Sequence, residues 1–82
     1  MKKLTLNEAI KKRLLYYLEE KKIKLSKLCL NSGLTPSTVF NFIYGETKIL
    51  GLIPIAKLCE GLGITLEEFF SADYFKKLDL QE

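Results

Sequence analysis

The clearest pattern of apolar and polar positions lies in residues 25–44, LSKLCLNSGLTPSTVFNFIY. Apolar side chains first repeat at helical spacing, Gly33 then interrupts, and a second apolar series follows Thr35 and Pro36. Glycine tolerates the left-handed backbone just past a helix end, threonine can cap a helix, and proline fits its first position. The pattern predicts two short helices joined by a tight turn, with Gly45 ending the second in the same way as Gly33 ends the first.

A longer amphipathic helix is predicted before this pair, from about Asn7 to Lys22. Thr5, followed three residues later by Glu8, forms a candidate capping box, and Asn7 is an alternative cap. The buried stripe of this helix should consist of apolar residues at helical spacing. These residues are Ile10, Leu14, Tyr17 and Leu18.

Two more helices are predicted after the pair. The fourth runs from about Leu52 to Leu62 and ends at Gly63, and Thr65 with Glu68 forms a capping box that opens a short fifth helix. The inner stripe of the fourth helix should contain Leu52, Ile55, Leu58, Cys59 and Leu62. Five helices without a strand pattern predict an all-α fold.

The size and hydropathy of the chain narrow the class of protein. Eighty-two residues are enough for one small domain with a single core. The chain is 48% hydrophobic, yet no apolar run approaches the roughly 18–20 residues of a membrane-spanning helix. The start, MKKLTLNEAI, has no apolar region typical of a signal peptide. We expect a soluble cytoplasmic protein without membrane contact.

The residue types argue against catalysis and metal binding. The chain has no histidine, and its two cysteines, Cys29 and Cys59, lie 30 residues apart without a CxxC pair. Two thiolates alone make a poor zinc site, so buried reduced cysteines are the better interpretation. No acid–base or nucleophile cluster can be named. We expect no enzyme activity, no cofactor, no metal and no small-molecule ligand.

Charge is distributed unevenly along the chain. Residues 1–48 contain 10 basic and 4 acidic side chains, whereas residues 49–82 contain 3 basic and 6 acidic ones. A basic front half suits a polyanionic partner approached from one side. Charge alone is equally compatible with ordinary solvated helix faces.

The second helix of the central pair has an unusual outer face. Val39, Phe42 and Ile43 should point inward, and the outward positions are Ser37, Phe40, Asn41 and Tyr44. Hydroxyl and amide groups can bond base edges, and an aromatic ring can contact a thymine methyl group. Alternatively, Phe40 and Tyr44 pack on a neighbouring segment or on a second copy of the chain.

These residues resemble the lambda-repressor-like, Cro-type (XRE) helix-turn-helix family of bacterial and phage transcription regulators. The matching positions are Leu28, Cys29, Gly33, Thr35, Val39, Phe42 and Gly45, and the likeness continues through IPIAKLCEGLGITLEEFF to cover roughly residues 8–70. The resemblance implies a compact five-helix fold with the helix-turn-helix at helices 2 and 3. Residues 1–72 would be the DNA-binding domain, and residues 73–82 a tail that extends the last helix, packs separately or helps a dimer.

The resemblance also implies which residues meet DNA, because the second helix of the motif enters the major groove in this family. The base-reading residues become Pro36, Ser37, Thr38 and Asn41, with apolar or stacking contact from Phe40 and Tyr44. Phosphates would be held by Lys24, Leu25, Ser26, Lys27, Thr47 and Lys48, partly through free amides at a helix N-terminus.

Several departures from the family pattern affect this prediction. Leu25 stands where relatives commonly have a polar residue, and Pro36 has neither an amide nor a polar side chain. No charge occurs from Pro36 to Tyr44, so one subunit should bind DNA weakly to moderately. Leu18 and Ile43 occupy positions where many relatives carry an ion pair, which apolar contact can replace without loss of stability.

Oligomeric state is a separate hypothesis. Ile49, Leu50 and Ile53 are more apolar than the stripe of the fourth helix requires, and two copies on a two-fold operator are usual in the family. We hypothesise that these residues form part of a homodimer contact. A local cover over the core is an equal alternative.

Two functions follow from these observations. The first is sequence-specific binding of double-stranded DNA by a homodimeric transcriptional regulator, with repression as the expected role. The second is a protein-interaction module, antirepressor-like or antitoxin-like, that reuses the same fold. Fold alone does not decide between them, since function depends on the residues of the site.

Overall fold

The structure, a computed structural model, describes residues 3–45 and 50–79. Within these residues the chain forms five α-helices and one 3₁₀ helix, which confirms the predicted all-α fold. Their bounds are α1 Leu6–Glu20, α2 Leu25–Ser32, α3 Pro36–Tyr44, α4 Leu52–Leu62, α5 Leu66–Phe69 and the 3₁₀ helix Asp73–Lys76.

Two capping boxes begin α1 and α5, as predicted. The Glu8 backbone N–H donates to the Thr5 hydroxyl at 3.2 Å, and the Thr5 N–H donates to the Glu8 carboxylate at 2.9 Å. Thr65 and Glu68 form the same pair of bonds, both at 3.0 Å. Thr35 precedes α3 but makes no side-chain cap bond, so the prediction of a threonine cap there is wrong. The N–H of Thr38, a usual donor to such a cap, donates instead to the Thr35 backbone carbonyl at 3.0 Å.

Three helix ends share one hydrogen-bonded motif. A residue in the left-handed region follows each helix, with φ of 51° at Lys22, 71° at Gly33 and 76° at Gly63. The next residue donates its N–H to a carbonyl five positions back and packs against the core, as in a Schellman motif. The bonds run from Ile23 to Leu18, from Leu34 to Cys29 and from Ile64 to Cys59, each at 3.0 Å.

Gly45 ends α3 in a different way from the prediction. Its φ of −107° is not left-handed, although its N–H still donates to the Asn41 carbonyl at 3.1 Å. A Cβ atom on Gly45 would lie 3.0 Å from the Asn41 carbonyl oxygen. Glycine therefore suits this position because space is tight and not because of its backbone angle.

The core is a single cluster of apolar side chains and thiols, and no described residue that is polar or charged is buried. Helix α3 contributes Val39 and Phe42, both fully buried, while Leu18 and Ile43 are partly buried against the cluster. The core residues are Ile10, Leu14, Tyr17, Leu25, Leu28, Cys29, Val39, Phe42, Leu50, Ile55, Leu58, Cys59, Leu62 and Phe69.

The start of α4 corrects two predictions. Leu52 is 64% exposed and does not belong to the inner stripe, whereas Leu50 is only 6% exposed and lies in the core. Leu50 therefore fills the apolar position expected of Leu52. Its side chain packs in the core, which favours the alternative of a local cover at this residue, and the dimer contact stays a prediction.

Helices α2 and α4 approach each other closely at Gly61. A Cβ atom built on Gly61 would overlap the Ser32 hydroxyl oxygen and lie 3.1 Å from a Leu28 methyl carbon. The Ser32 oxygen is itself buried and has no hydrogen-bond partner among the described residues. The hydrogen atom of Gly61 is thus what permits the observed separation of the two helices.

Arg13 ties α1 to the C-terminus of α5. Its guanidinium group donates to the Phe69 and Glu68 carbonyl oxygens, both at 2.8 Å, and to the Tyr17 hydroxyl at 3.0 Å. Carbonyls in the last turn of a helix lack partners within the helix, and a cation there also faces the negative end of the helix dipole. One side chain on α1 therefore caps a helix more than 50 residues later in the chain.

The segment after α5 packs as a separate element and does not extend that helix. The Phe75 ring meets the Phe70 ring edge-on, with centroids 5.0 Å apart. Further on, the Asp79 N–H donates to the Leu4 carbonyl at 2.8 Å. The two ends of the described chain are thereby joined beside α1.

Substitution at the α2–α4 contact should show whether close approach limits stability. We expect Gly61→Ala to lower the free energy of unfolding by about 1–2 kcal/mol, because overlap with Ser32 outweighs the gain in helix propensity. Ser32→Ala should be nearly neutral, since it removes an unpaired buried hydroxyl. Urea unfolding of both single variants and the double variant measures the coupling. Gly61→Ala should lower the free energy of unfolding by a smaller amount in the Ser32→Ala background than in the unaltered protein. Strictly additive losses in the double variant would contradict the overlap.

The left-handed helix ends allow a reciprocal test of backbone strain. Lys22→Gly should raise the free energy of unfolding by about 0.5–1 kcal/mol, because the left-handed region costs a non-glycine residue more than the added flexibility of glycine. Gly33→Ala should lower it by about 1 kcal/mol. Nothing lies within 4 Å of a Cβ at Gly33, so that loss would report the backbone alone. Thermal unfolding of the two variants checks both signs, and a destabilising Lys22→Gly would refute strain at Lys22.

Candidate nucleic-acid interface

Helix α3 presents an uncharged outer face. The burial of Val39 and Phe42, with Ile43 partly buried beside them, fixes the rotation of the helix about its axis, so the other positions face away from the core. No residue from Pro36 to Tyr44 carries a charge. The exposed residues are Pro36, Ser37, Thr38, Phe40, Asn41 and Tyr44. All the base-reading and stacking residues predicted from the sequence thus lie exposed on one helix.

The two aromatic rings of this face pack on each other. The centroids of Phe40 and Tyr44 are 5.9 Å apart and their planes differ by 34°, as suits a pair one helical turn apart. Phe40 remains 40% exposed and Tyr44 68% exposed. No other described ring stacks on either of them.

The N-terminus of α2 is the second part of the candidate interface. Lys24 is its N-cap residue and makes no side-chain cap bond, so amides in the first turn point outward from the positive end of the helix. Ser26 and Lys27 are exposed, whereas the Leu25 side chain is buried in the core. Leu25 can therefore offer a phosphate only its backbone amide.

The turn between α1 and α2 adds two cations that the sequence analysis did not assign to the site. Lys21 and Lys22 are exposed beside Lys24 and Lys27, and no acidic residue lies within residues 21–27. None of the four lysines forms an ion pair with a described residue. The ion pair seen among residues 3–45 and 50–79 joins Lys76 and Asp73. The run KKIK at residues 21–24 is the sequence feature that indicates a basic cluster here.

Some predicted residues cannot be compared with the structure. Thr47 and Lys48, assigned to phosphate, and Ile49, assigned to a dimer, lie outside the described residues.

Ile53 is 69% exposed, next to the exposed Leu52. Leu52 and Ile53 thus form an apolar pair on the surface at the start of α4.

The cysteines lie away from these surfaces. Cys29 and Cys59 are free thiols buried in the core, and burial raises the pKa of both. A raised pKa keeps a thiol neutral and unreactive near pH 7. Both therefore act as small apolar side chains, as predicted.

Residues 3–45 and 50–79 contain neither a candidate metal site nor a candidate membrane span. No three histidine, cysteine, aspartate or glutamate side chains come together there in a way that could hold a metal ion. No helix in the same residues has both the length and the apolar character to cross a bilayer.

Comparisons with known proteins agree with this geometry. Residues 13–73 match the profile of the Cro/C1-type helix-turn-helix DNA-binding domain. The fold is similar to the crystal structure of the prophage Lp1 protein 11, with a TM-score of 0.79, 24% sequence identity, and coverage of 92% of this chain and 99% of that chain. At that identity the likeness concerns the fold alone. No curated protein matches the chain.

Proposed function

Because the chain belongs to the Cro/C1-type helix-turn-helix family of DNA-binding domains, we propose that it is a transcriptional regulator that reads double-stranded DNA with α3 in the major groove. The observation that carries this proposal is the exposed, uncharged and hydrogen-bonding face of α3 beside the uncapped N-terminus of α2. The helix supplies groups for base edges, and α2 supplies positive potential for phosphates. Sequence reading and affinity would thus come from different helices.

Base reading would rest on the side chains near the start of α3, where recognition helices meet base edges. The Asn41 amide can bond adenine through two hydrogen bonds at N6 and N7. Ser37 and Thr38 can bond either kind of base pair, and Pro36 offers only shape and apolar contact. Asn41 is therefore the residue with the most specific chemistry in this group.

Phosphate binding would rest on α2 and the turn before it. The amides of Leu25 and Ser26 face outward at the positive end of the helix, which favours an anion. Four exposed lysines surround this point, namely Lys21, Lys22, Lys24 and Lys27. Thr47 and Lys48 remain phosphate candidates on the sequence argument alone. These contacts would supply affinity without sequence preference.

We further propose that two copies act together as a repressor. Because α3 carries no charge, one subunit alone would bind DNA with modest affinity. Two subunits bound together to half-sites about 10 base pairs apart would bind more tightly. The exposed pair Leu52 and Ile53 offers apolar surface for such a contact. Occupancy of a promoter by the dimer would exclude RNA polymerase, so repression is the simplest outcome. A regulator of this kind acts in the cytoplasm, where bacterial DNA lies.

The exposed aromatic pair also supports a second function. Phe40 and Tyr44 form an uncharged apolar surface of the type enriched at protein–protein contacts. In that alternative the helix-turn-helix would bind a partner protein, as an antirepressor or antitoxin does. Affinity for duplex DNA at low salt separates the two functions.

The proposed roles of α2 and α3 predict different mutant behaviour. Lys27→Ala should weaken binding to all DNA sequences alike and reduce the steepness of the salt dependence by about one, because one phosphate contact is lost. Asn41→Ala should reduce discrimination between the preferred and a random duplex by roughly 1–3 kcal/mol. Fluorescence anisotropy over a range of salt concentrations, with a site selected from a random duplex pool, measures both effects.

Lys77→Ala is the matched control for charge, because Lys77 is an exposed lysine in the C-terminal segment. It should change neither the salt dependence nor the discrimination. Equal losses from Asn41→Ala and Lys27→Ala would contradict the division of roles. Absence of affinity for any duplex at low salt would favour the protein-interaction function.

A further inference from the structure

The composition of the exposed α3 face restricts which base pairs it can distinguish. Specific contacts to guanine come mainly from arginine and lysine, and contacts to cytosine come from aspartate and glutamate. None of these four residue types occurs between Pro36 and Tyr44. The groups that remain with a preference are the Asn41 amide, which suits adenine, and apolar surface, which suits the thymine methyl group.

Phe40 is the apolar side chain best placed for such a contact. It lies one helical turn after Pro36 and next to Asn41, on the exposed face that the proposed function assigns to base edges. The Tyr44 ring packs against it with centroids 5.9 Å apart, while the buried neighbours Val39 and Phe42 fix the helix beneath it. Contact with Tyr44 restricts the positions open to the Phe40 ring before DNA binds, which lowers the entropy lost on contact.

We infer that Phe40 determines specificity by contacting the 5-methyl group of a thymine, and that the base pairs under α3 are predominantly A·T. This inference rests on the proposed function and deepens it. Phenylalanine has no hydrogen-bonding group, and the thymine methyl is the apolar group that the major groove displays. Asn41, the next residue along the helix, would read an adenine beside that thymine.

Replacement of thymine by uracil tests the methyl contact directly. Deoxyuridine lacks the methyl group but keeps every hydrogen-bonding group of thymine. In a site selected from a random duplex pool, each thymine is replaced singly and affinity is measured by anisotropy. We expect a loss of about three- to fivefold at one or two positions per half-site, the size expected for one buried methyl group, and no loss elsewhere.

Variants at position 40 connect that loss to the ring. Phe40→Ala should weaken binding to the thymine duplex and abolish the difference between thymine and uracil at the sensitive position. Phe40→Leu should retain part of the difference, because leucine keeps apolar surface. Leu30→Ala is the matched control, since Leu30 is an exposed apolar residue on α2 and its loss should leave the methyl effect unchanged.

A second duplex series separates the methyl group from the rest of thymine. At the sensitive position, T·A is replaced by C·G, and then by a pair with 5-methylcytosine, which carries a methyl group at the same place. The methylated pair should bind the protein about three- to fivefold more tightly than unmethylated C·G. Phe40→Ala should bind the two alike.

The outcomes separate failure of this inference from failure of the proposed function. Specific binding that no uracil substitution weakens, a methyl effect that persists in Phe40→Ala, or selected sites with G·C pairs under α3 would overturn the inference alone. A random pool from which no sequence is enriched would overturn the proposed function and the inference with it. Thermal unfolding checks that Phe40→Ala is folded. If it is not, Phe40→Leu takes its place, and a difference between thymine and uracil that Phe40→Leu leaves at full size would overturn the inference.

Discussion

The close contact between α2 and α4 at Gly61 is the constraint on which the position of α3 depends. Only a hydrogen atom separates the α4 backbone from Ser32 and Leu28 at this point. Helix α3 begins four residues after Ser32, and the Leu34 N–H bond to Cys29 fixes the turn between them. A shift of α2 would therefore move α3 with it, since packed interiors transmit displacement and do not absorb it. The orientation of α3 thus depends on the contact between α2 and α4.

The candidate interface carries its positive charge and its uncharged hydrogen-bonding groups on different elements. Among the described residues, the exposed cations of the candidate interface lie within residues 21–27, whereas the face of α3 carries only hydroxyl, amide and apolar groups. Phosphate attraction is long-ranged and indifferent to sequence, while contacts to base edges and methyl groups act only at close range. Positive charge would draw the helix towards any duplex, and the uncharged face would then select among sites.

Arg13 on α1 holds the C-terminal end of α5 through hydrogen bonds to its backbone carbonyls. Its guanidinium group satisfies two carbonyls of a helix only four residues long and lies 4.6 Å from the centre of the Tyr17 ring. A helix so short has little stability of its own, because nucleation fixes several residues for few hydrogen bonds. The α5 segment therefore depends on α1. After it, Phe75 packs on Phe70, and the Asp79 N–H donates to the Leu4 carbonyl just before α1.

The sequence by itself determined the features that depend on residues within about five positions of one another. The capping boxes at Thr5 and Thr65, the left-handed ends at Gly33 and Gly63, and the two faces of α3 are all of this kind, because caps and helical periodicity are local. Tertiary structure decided the rest. Leu50 and not Leu52 enters the core, Gly61 lies where α4 meets Ser32 and Leu28 of α2, and Arg13 bonds carbonyls more than 50 residues away. These outcomes depend on which segments meet in space, and that is set by packing of the whole chain and not by its local pattern.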